Sequence, residues 1–567
     1  MTEPAATDPP APQVGGFRRV ATYLYIAALV VGTAVIAAAQ MLPQVAPDHE
    51  LLEFGPSATN LATLGLGLLL AAITVLWLLV AAPLRLTTRL LLIAALIVPP
   101  AAVLASAQRV DLSGDMWPSI TFDQPRLADG TLLADEEPVK ESDDDAADLP
   151  EPSEADVLEY RGPRRDGVFP VSVLPDGFPE RDALDEAWRR PLGLGYAGIS
   201  VLGDFVVTMD QVGPTERIVC LDAATGSLRW TDQTETRFSE AAGGEGPRST
   251  PTIHDGRVYA LGANGHLTCV GLATGKRVWQ TDTLGEMGLT PTMWGQASSP
   301  LIVGDRVCVG VGGPNAQQAN GLSLYDIETG RLVARSDGRV DADGRPQPFS
   351  ADEFPMSDGE QEQNAVGYAS PQRATIAGRD VILNFDGFGL RVLDPQTLEQ
   401  AAFFEWTNGP RVNVAQPLVF EDDRILLSAS YGVGSVMLQA GLAPDSDGLT
   451  LEPVWESKRL RSKFASPVAL GGFIYGLDEG ILTCLAAADG KRQWKGGRYG
   501  HGQIVLVGET IVAQAEDGQL VGVAATPDEH RELFSQPIFE AARNWNPPTA
   551  AGGAVYVRNH EEIVKLR

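Results

Sequence analysis

One short motif recurs along the chain at intervals typical of a repeat architecture. It reads CLDAATGSLRW at 220–230, CVGLATGKRVW at 269–279 and CLAAADGKRQW at 484–494, with a diverged copy, LYDIETGRLVA, at 324–334. An Asp side chain bonds the backbone two residues further on and Gly accepts a positive φ, so Asp-x-x-Thr-Gly predicts a turn. Alternating apolar residues on both sides predict strands. Repeated units of this kind must stack on one another to bury a core, which restricts the fold to a repeat architecture.

Each well-kept copy predicts four short antiparallel strands in about 47 residues, the pattern of a β-propeller blade. Eight pairs of central strands can be counted, from GDFVVTM with RIVCLD to GGAVYVR with EIVKLR. The outer strands carry, in order, Trp230, Trp279, Ala334, Phe404 or Trp406, Trp455, Trp494 and Phe534. We expect each outer Trp to pack against the neighbouring blade.

The eighth unit has no outer strand after it, since the sequence reaches Arg567. We expect ALDEAWRRPL, which contains Trp188, to supply that strand from the start of the domain and so leave no open sheet edge. The sequence therefore predicts an eight-bladed propeller, and seven blades is the alternative.

Three uncharged apolar runs precede the repeats, at 20–42, 61–82 and 90–107. The first two are long enough to cross a bilayer of about 30 Å, and the third is shorter and contains Pro99 and Pro100. Each is predicted to be a membrane-spanning helix. Basic residues before the first run and between the second and third predict a cytoplasmic N-terminus, which puts the repeats on the extracytoplasmic side.

Four segments follow from these patterns: a disordered cytoplasmic tail at 1–17, a membrane domain at 18–109, an acidic linker at 110–156 and the propeller at 157–567. The linker is rich in like charges and poor in aromatic residues, which favours a solvated spacer; calcium binding by DDDAAD is the alternative. The formal net charge of −30 disfavours nucleic acid or an anionic lipid surface as the partner of the soluble part.

The four cysteines are Cys220, Cys269, Cys308 and Cys484, and three of them occupy the same position of the repeat. Equivalent positions lie on different blades, so the sequence favours small buried residues over a disulfide or a metal site.

The motif resembles the docking repeat of the PQQ-like propeller superfamily, and YRGPRRDGV at 160–168 resembles the N-terminal motif of its membrane-anchored members. The resemblance implies one of two functions. Quinoprotein alcohol dehydrogenases hold PQQ and calcium on the propeller axis, often beside an adjacent Cys-Cys disulfide, whereas BamB-type subunits bind other proteins. The chain contains no adjacent cysteines and no CxxCH haem motif, and its Asn384-x-Asp386 pair lies within a blade.

Loops that lead into the innermost strands converge on the axial funnel of a propeller, and here they are rich in aromatic, amide and cationic residues. The candidate ligand-binding residues are Glu245, Arg248, Trp294, Gln296, Tyr368, Arg411, Asn413, Arg461, Lys463, His501, Arg543 and Trp545. Five cations in an otherwise acidic domain predict a pocket for an anion or an acidic peptide, balanced in its absence by Glu245. The alternative is that these are rim residues paired with local acids.

We therefore expect a multi-pass protein of the bacterial inner membrane whose periplasmic propeller binds an envelope protein, a peptide or a small anionic ligand without catalysis and without a cofactor. The first alternative is a quinoprotein oxidoreductase with PQQ and calcium, and the second is a sensor that reports ligand binding across the membrane. The insertion at 336–363 is predicted to cover the funnel or to bind a partner, and 310–321 is predicted to be a flexible hairpin.

Overall fold

The computed structural model describes residues 14–45, 55–107, 109–122, 149–174, 178, 183–312, 321–336, 366–444, 448–540 and 543–567. The chain divides into two compact units, 1–124 and 125–567. Most of the predicted acidic linker, the insertion after Ser336 and the centre of the 310–321 loop lie outside the described residues. The four domain bounds given above stay predictions.

The first unit contains three helices: α1 (Val14–Val45), α2 (Gly55–Val80) and α3 (Leu86–Ser106). All three are long and apolar enough to cross a membrane. The rings of Tyr25 and Trp77 stack with centroids 4.3 Å apart, and the Trp77 indole donates to Thr22 Oγ1. Polar side chains that bond between helices in this way are typical of helix packing in a bilayer.

A short β-hairpin follows α3. Its strands are Arg109–Leu112 and Pro118–Thr121, and Val110 pairs with Ile120. This part of the predicted linker is therefore structured.

The second unit is an eight-bladed β-propeller, as predicted. The four strands of each blade are antiparallel, and in blades 1 to 7 they run in sequence order from the axis outward, whereas the outer strand of blade 8 comes from the start of the domain. The strands of blades 1 to 4 are Ser200–Leu202, Phe205–Val212, Thr215–Asp222 and Leu228–Glu235; Thr252–His254, Arg257–Leu261, His266–Gly271 and Arg277–Asp282; Leu301–Val303, Arg306–Val311, Gly321–Asp326 and Leu332–Arg335; Gln372–Ile376, Arg379–Phe385, Gly389–Leu393 and Gln400–Glu405.

Blades 5 to 8 repeat the pattern. Their strands are Leu418–Val419, Arg424–Ala429, Gly434–Leu442 and Leu449–Ser457; Val468–Leu470, Phe473–Asp478, Ile481–Ala486 and Arg492–Arg498; Gln503–Val507, Thr510–Gln514, Gln519–Ala524 and Glu532–Pro537; Thr549–Ala551, Ala554–Arg558, Glu562–Leu566 and, from the start of the domain, Glu186–Pro191.

The ring closes as the sequence predicted. Trp188 pairs with Lys565 in blade 8, and the backbone of Asp185 exchanges two hydrogen bonds with that of Arg567. Two ends of the domain thus share one sheet, which removes a free edge from the ring.

The recurrent motif is a joint between blades. The Trp230 indole on the outer strand of blade 1 donates to Leu272 O in the third turn of blade 2, and a Cβ added at Gly275 in that turn would lie 2.6 Å from the indole. Gly275 has φ +68°, so the turn needs Gly both for its backbone and for the approach of the ring. The same indole-to-carbonyl bond joins Trp188 to Ala223, Trp279 to Ile327, Trp455 to Ala487 and Trp494 to Thr526.

The joint between blades 3 and 4 uses a different pair. Ala334 stands where five of the other outer strands carry Trp, and Leu398 stands at the position that Gly occupies in the turns facing four of those Trp side chains. Leu398 keeps the left-handed backbone of that Gly, with φ +60°, and its side chain is buried in the cluster against which Ala334 packs. The Leu side chain therefore occupies space that the smaller outer-strand residue leaves.

Replacing the Ala334–Leu398 pair with the common Trp–Gly pair should show that the two substitutions are energetically coupled. Leu398→Gly removes a buried side chain and should lower the free energy of unfolding by about 2 kcal/mol, and Ala334→Trp should lower it through crowding against Leu398. In the double variant we expect the free energy of unfolding to fall by at least about 1 kcal/mol less than the sum of the two single losses. Denaturant unfolding of all four proteins measures this as a double-mutant cycle. Additive losses would contradict this account of the joint.

Residues 149–174 form a segment that we call the axial plug. It bonds the innermost strands of blades 1 and 2 through Val157 and Leu158, and Val168–Phe169 adds a parallel strand to blade 7. Its backbone also bonds Gly552 and Gly553, in the turn between the first two strands of blade 8. The plug therefore closes the end of the axis at which those turns lie.

Two buried arginines of the YRGPRRDGV motif hold the plug in place. Arg165 donates to the carbonyls of Ser299, Pro300 and Pro371 in blades 3 and 4, and its Nε pairs with Glu159 at 2.8 Å. On the other side of the axis Arg161 donates to Ile504 O and Pro467 O in blades 7 and 6. These guanidinium groups satisfy carbonyls on four blades.

All four cysteines are buried, as predicted, and none of them forms a disulfide in this structure. Burial raises the pKa of the Cys269 thiol to about 11 and that of Cys484 to about 12. These thiols stay protonated and behave as small apolar side chains.

Candidate functional site

The connectivity of a blade decides which loops can meet at the axis. The connection into each blade and the turn between its second and third strands lie at one end of the propeller, and the other two turns lie at the end that the axial plug closes. All twelve candidate residues lie in connections that precede innermost strands. They therefore share the end opposite the plug, which we call the axial face.

Aromatic rings on the axial face contact one another across blades. Tyr196, which leads into blade 1, lies 5.4 Å from Trp545, which leads into blade 8, and Trp545 lies 5.0 Å from Phe464 before blade 6. Phe464 in turn lies 5.5 Å from His501 before blade 7. Contact between blades 6 and 8, which are not neighbours, places this group close to the axis.

A second aromatic pair lies before blades 3 and 4. The ring centroids of Trp294 and Tyr368 are 5.6 Å apart, and the Trp294 backbone N–H donates to the Tyr368 hydroxyl. Burial is the main cause that raises the pKa of Tyr368, so its hydroxyl stays protonated.

Arg248 organises the connection into blade 2. Its guanidinium donates to the carbonyls of Gly243, Gly244 and Gly246 and lies 4.4 Å from the centre of the Phe238 ring. Burial lowers the pKa of Arg248 to about 10, a value at which the group remains charged at neutral pH. The contacts make Arg248 a fixed positive charge on the axial face.

The other candidate cations differ in their surroundings. Arg461 forms an ion pair of 2.8 Å with buried Asp478, which Lys495 also contacts. Arg411 lies 4.1 Å above the Phe388 ring, and Arg543 lies 5.3 Å from the Trp545 ring. The Lys463 ammonium lies between two rings, 5.6 Å from Tyr431 and 5.4 Å from Phe464.

Buried carboxylates that the sequence analysis missed offset much of this charge. Glu516 accepts from the Trp545 indole at 2.9 Å and from the His501 backbone at 3.0 Å. Glu479 accepts from Ser430 and lies within 4.8 Å of a ring nitrogen of His501. Both acids lie in turns between second and third strands, which blade connectivity places at the same end of the propeller as the connections into the blades.

Three of the candidates support the loops themselves. The Gln296 amide donates to Gly312 O, and the Asn413 amide donates to the carbonyls of Asp386 and Trp406. Glu245 pairs with Arg237 at 2.5 Å. The acid that the sequence suggested as the balance for the five candidate cations thus pairs with an arginine outside that set.

The recurring Ser-Pro steps have a structural cause. The backbone N–H of Thr250 donates to Ser299 Oγ in the next blade, that of Ser299 to Ser370 Oγ, that of Ser370 to Gln416 Oε1 and that of Gln416 to Ser466 Oγ. One residue per blade therefore links blades 2 to 6 in a chain of hydrogen bonds around the axis.

The Tyr196 hydroxyl and the Trp294 indole N–H are among the polar groups of the axial face that are buried without a hydrogen-bond partner within the described residues. Leaving such a group unpaired costs about 1–3 kcal/mol. Unpaired buried donors in a native protein therefore mark places where another molecule could supply an acceptor.

The carboxylate of the Asn384-x-Asp386 pair, the calcium-ligand pattern that the sequence contains, is already engaged. Asp386 accepts from the backbone of Phe388 and Gly389 with one oxygen and forms a 2.5 Å ion pair with Arg391 through the other. Asn384 lies on a strand opposite Arg391. The four thiols lie in separate blades, so this donor set does not fit the PQQ and calcium site that the resemblance implies.

An eight-bladed propeller with the Trp-to-turn joint is a member of the PQQ-like class of β-propellers. More particularly, the chain belongs to the family described as outer membrane protein assembly factor BamB, whose pattern matches residues 182–345 and 357–496, more than half of the chain.

Similar proteins come from both branches of the class. The quinohemoprotein alcohol dehydrogenase ADH-IIG of Pseudomonas putida is 28% identical over 156 residues, 27% of this chain and 21% of that protein, so the chain spans about a fifth of its length. Similar solved structures are BamB from Moraxella catarrhalis (15% identity, TM-score 0.46, 68% of this chain and 97% of that one) and quinohemoprotein alcohol dehydrogenase ADHIIG from Pseudomonas putida HK5 (14%, 0.43, 73% and 80%).

Glu216, behind the axial face, makes propeller stability depend on pH. It is buried, accepts from the Ala263 backbone, and has its pKa raised by burial to about 7. The folded state then binds a proton more tightly than the unfolded state, so the free energy of unfolding falls as pH rises from 4.5 to about 7. We expect Glu216→Gln to remove about 2–3 kcal/mol of that fall, measured by urea unfolding at several pH values. Glu235→Gln, at an exposed site on the next strand, is the control and should follow the wild type; an unchanged profile in Glu216→Gln would contradict the assignment.

Proposed function

We propose that this chain is a non-catalytic binding protein of the bacterial cell envelope. In this proposal α1 to α3 anchor it in the inner membrane, the propeller is periplasmic, and the axial face binds a partner protein or an acidic peptide. Membership of the BamB family supports binding over catalysis.

The unpaired donors of Tyr196 and Trp294 carry the proposal for the axial face. They lie among aromatic rings and beside Arg248, a combination that is typical of protein-binding surfaces. The buried carboxylates of Glu479 and Glu516 offset part of the positive charge of this face, which favours a peptide that offers backbone carbonyls and one or two acids over a small multivalent anion.

Chemistry at the axial face is not supported by the groups described there. Burial raises the pKa of Tyr431 to about 12, and the buried thiols remain protonated. His501 contacts Phe464 and lies near Glu479, and its backbone, like the Trp545 indole, bonds Glu516.

Capture from native membranes tests the binding function. Full-length tagged protein, crosslinked in envelopes and purified, should retain a specific partner. A Trp294→Ala/Arg411→Glu variant should reduce its recovery about tenfold or more, because it removes an unpaired donor and reverses a charge on the axial face. The control is Lys491→Glu, which makes the same charge reversal at an exposed turn on the plug side and should bind normally. Equal recovery with both variants would reject the axial face as the site.

A titration separates the oxidoreductase alternative. Purified full-length protein mixed with PQQ and calcium should show no saturable change in quinone absorbance. Stoichiometric binding at micromolar concentration would favour the oxidoreductase and overturn the non-catalytic proposal.

A further inference from the structure

The hairpin that follows α3, residues 109–122, has an apolar face. Residues that pair directly across two antiparallel strands lie on the same side, so Val110 and Ile120 share one face with Leu112 and Pro118. Asp111 and Ser119 lie on the other face. The alternation makes the hairpin amphipathic.

Large apolar side chains of this hairpin remain uncovered. Val110 is 49% exposed, Trp117 in the turn is 47% exposed, and Phe122 is 55% exposed. A two-stranded hairpin is at best marginally stable in water without a surface to pack on. The apolar face therefore needs a covering partner.

The contacts of the hairpin show where it lies. Its turn is held against the start of α2, because Ser57 Oγ donates to Gly114 O at 3.2 Å and the Asn60 amide donates to Asp115 O at 2.9 Å. Ser57 and Asn60 belong to the first two turns of α2, the second candidate membrane span. The hairpin also begins three residues after α3 ends.

We propose that this hairpin lies in the membrane–water interface, with Val110, Trp117 and Phe122 among the lipid headgroups and upper acyl chains. The inference rests on the membrane anchoring proposed above. Lipid is the covering partner that the position favours, because the hairpin is bonded to the start of α2 and follows α3, beside ends of two candidate spans at which Leu61 and Leu104 are also exposed. Trp is enriched at this depth of the bilayer, since its ring is apolar and its indole N–H is polar.

Depth-dependent quenching tests this placement in the full-length protein reconstituted in phosphatidylcholine vesicles. Single cysteines are introduced as Phe122→Cys and Val110→Cys on the apolar face, Ser119→Cys on the polar face, and Leu68→Cys in the middle of α2, where the side chain is 74% exposed. Each is labelled with an environment-sensitive fluorophore. The native thiols are buried, so the unaltered protein should take up little label and serves as the blank.

Labels at Phe122 and Val110 should be quenched about twofold more strongly by lipid spin-labelled near the headgroup than by lipid labelled near the chain end. The label at Ser119 should be quenched weakly by both, and that at Leu68 mainly by the deep probe. The interfacial placement of the hairpin would be overturned if the Leu68 label were quenched while the labels at Phe122 and Val110 were quenched no more strongly than the label at Ser119. An unquenched Leu68 label would instead reject the membrane anchoring itself.

Discussion

Arg165→Met should lower the free energy of unfolding of the propeller by about 3–5 kcal/mol. The guanidinium is 1% exposed and donates to carbonyls of Ser299, Pro300 and Pro371 while pairing with Glu159. Met has a similar length and apolar stem but no donor, so the variant leaves these buried acceptors and one carboxylate without their partner. Thermal and urea unfolding of the full-length protein would measure the loss.

The neighbouring arginine provides the control. Arg164 is 72% exposed and pairs with Asp166 at the surface, so Arg164→Met should change the free energy of unfolding by less than about 1 kcal/mol. Hydrogen exchange adds a local readout, since amides of Val168–Phe169 and of the blade 7 strand beside them should lose protection in Arg165→Met. Equal stability of the two variants would show that the plug does not brace the ring.

Trp188→Ala should cost about 3–5 kcal/mol and should also open the ring at one place. Trp188 lies on the strand that the start of the domain contributes to blade 8, its indole donates to Ala223 O in blade 1, and Gly226 provides space for the ring. Losing the side chain loosens the only strand of blade 8 that is distant in sequence from the others. Amides of Glu186–Pro191 and Glu562–Leu566 should therefore exchange faster.

Trp455→Ala is the control that shows whether the joint made by Trp188 at the closing strand differs from a joint between consecutive blades. Trp455 makes the same indole bond, to Ala487 O, between blades 5 and 6, which are consecutive in the chain. A similar loss of stability is expected there, without faster exchange in the closing strand of blade 8. If Trp188→Ala left the protection of that strand unchanged, closure would depend on backbone pairing alone.

Much of the propeller could be predicted because its signals are local. The Asp-x-x-Thr-Gly turn, whose Asp222 accepts from the backbone of Ala224 and Thr225, lies within one stretch of sequence, as does the strand alternation beside it. Counting the pairs of central strands yielded eight blades, and the unmatched eighth unit pointed to Trp188. The prediction that each outer Trp packs on the next blade is likewise confirmed.

The candidate site could be predicted only in part. Blade connectivity places all the connections that precede innermost strands on one face of the propeller. The twelve candidates lie in those connections and therefore share the axial face. The charge that these candidates present to a ligand could not be predicted, because Glu479 and Glu516 lie in the turns between second and third strands, outside the connections that contain the candidates. Likewise, Glu245 pairs with Arg237, which is not one of the five candidate cations, and that pairing depends on loop geometry within the connection into blade 2.

The sequence by itself determined the number of blades, the closing strand, the three apolar helices and the repeat positions of Trp and Cys. Each of these features depends on a sequence pattern shorter than one repeat. Only the tertiary structure decided that Arg161 and Arg165 brace the axis, that Leu398 replaces a Trp–Gly joint, and that buried acids offset the cations of the axial face. Those features arise where segments separated by one or more blades meet, and the pairing of side chains there depends on the distances that ring closure sets.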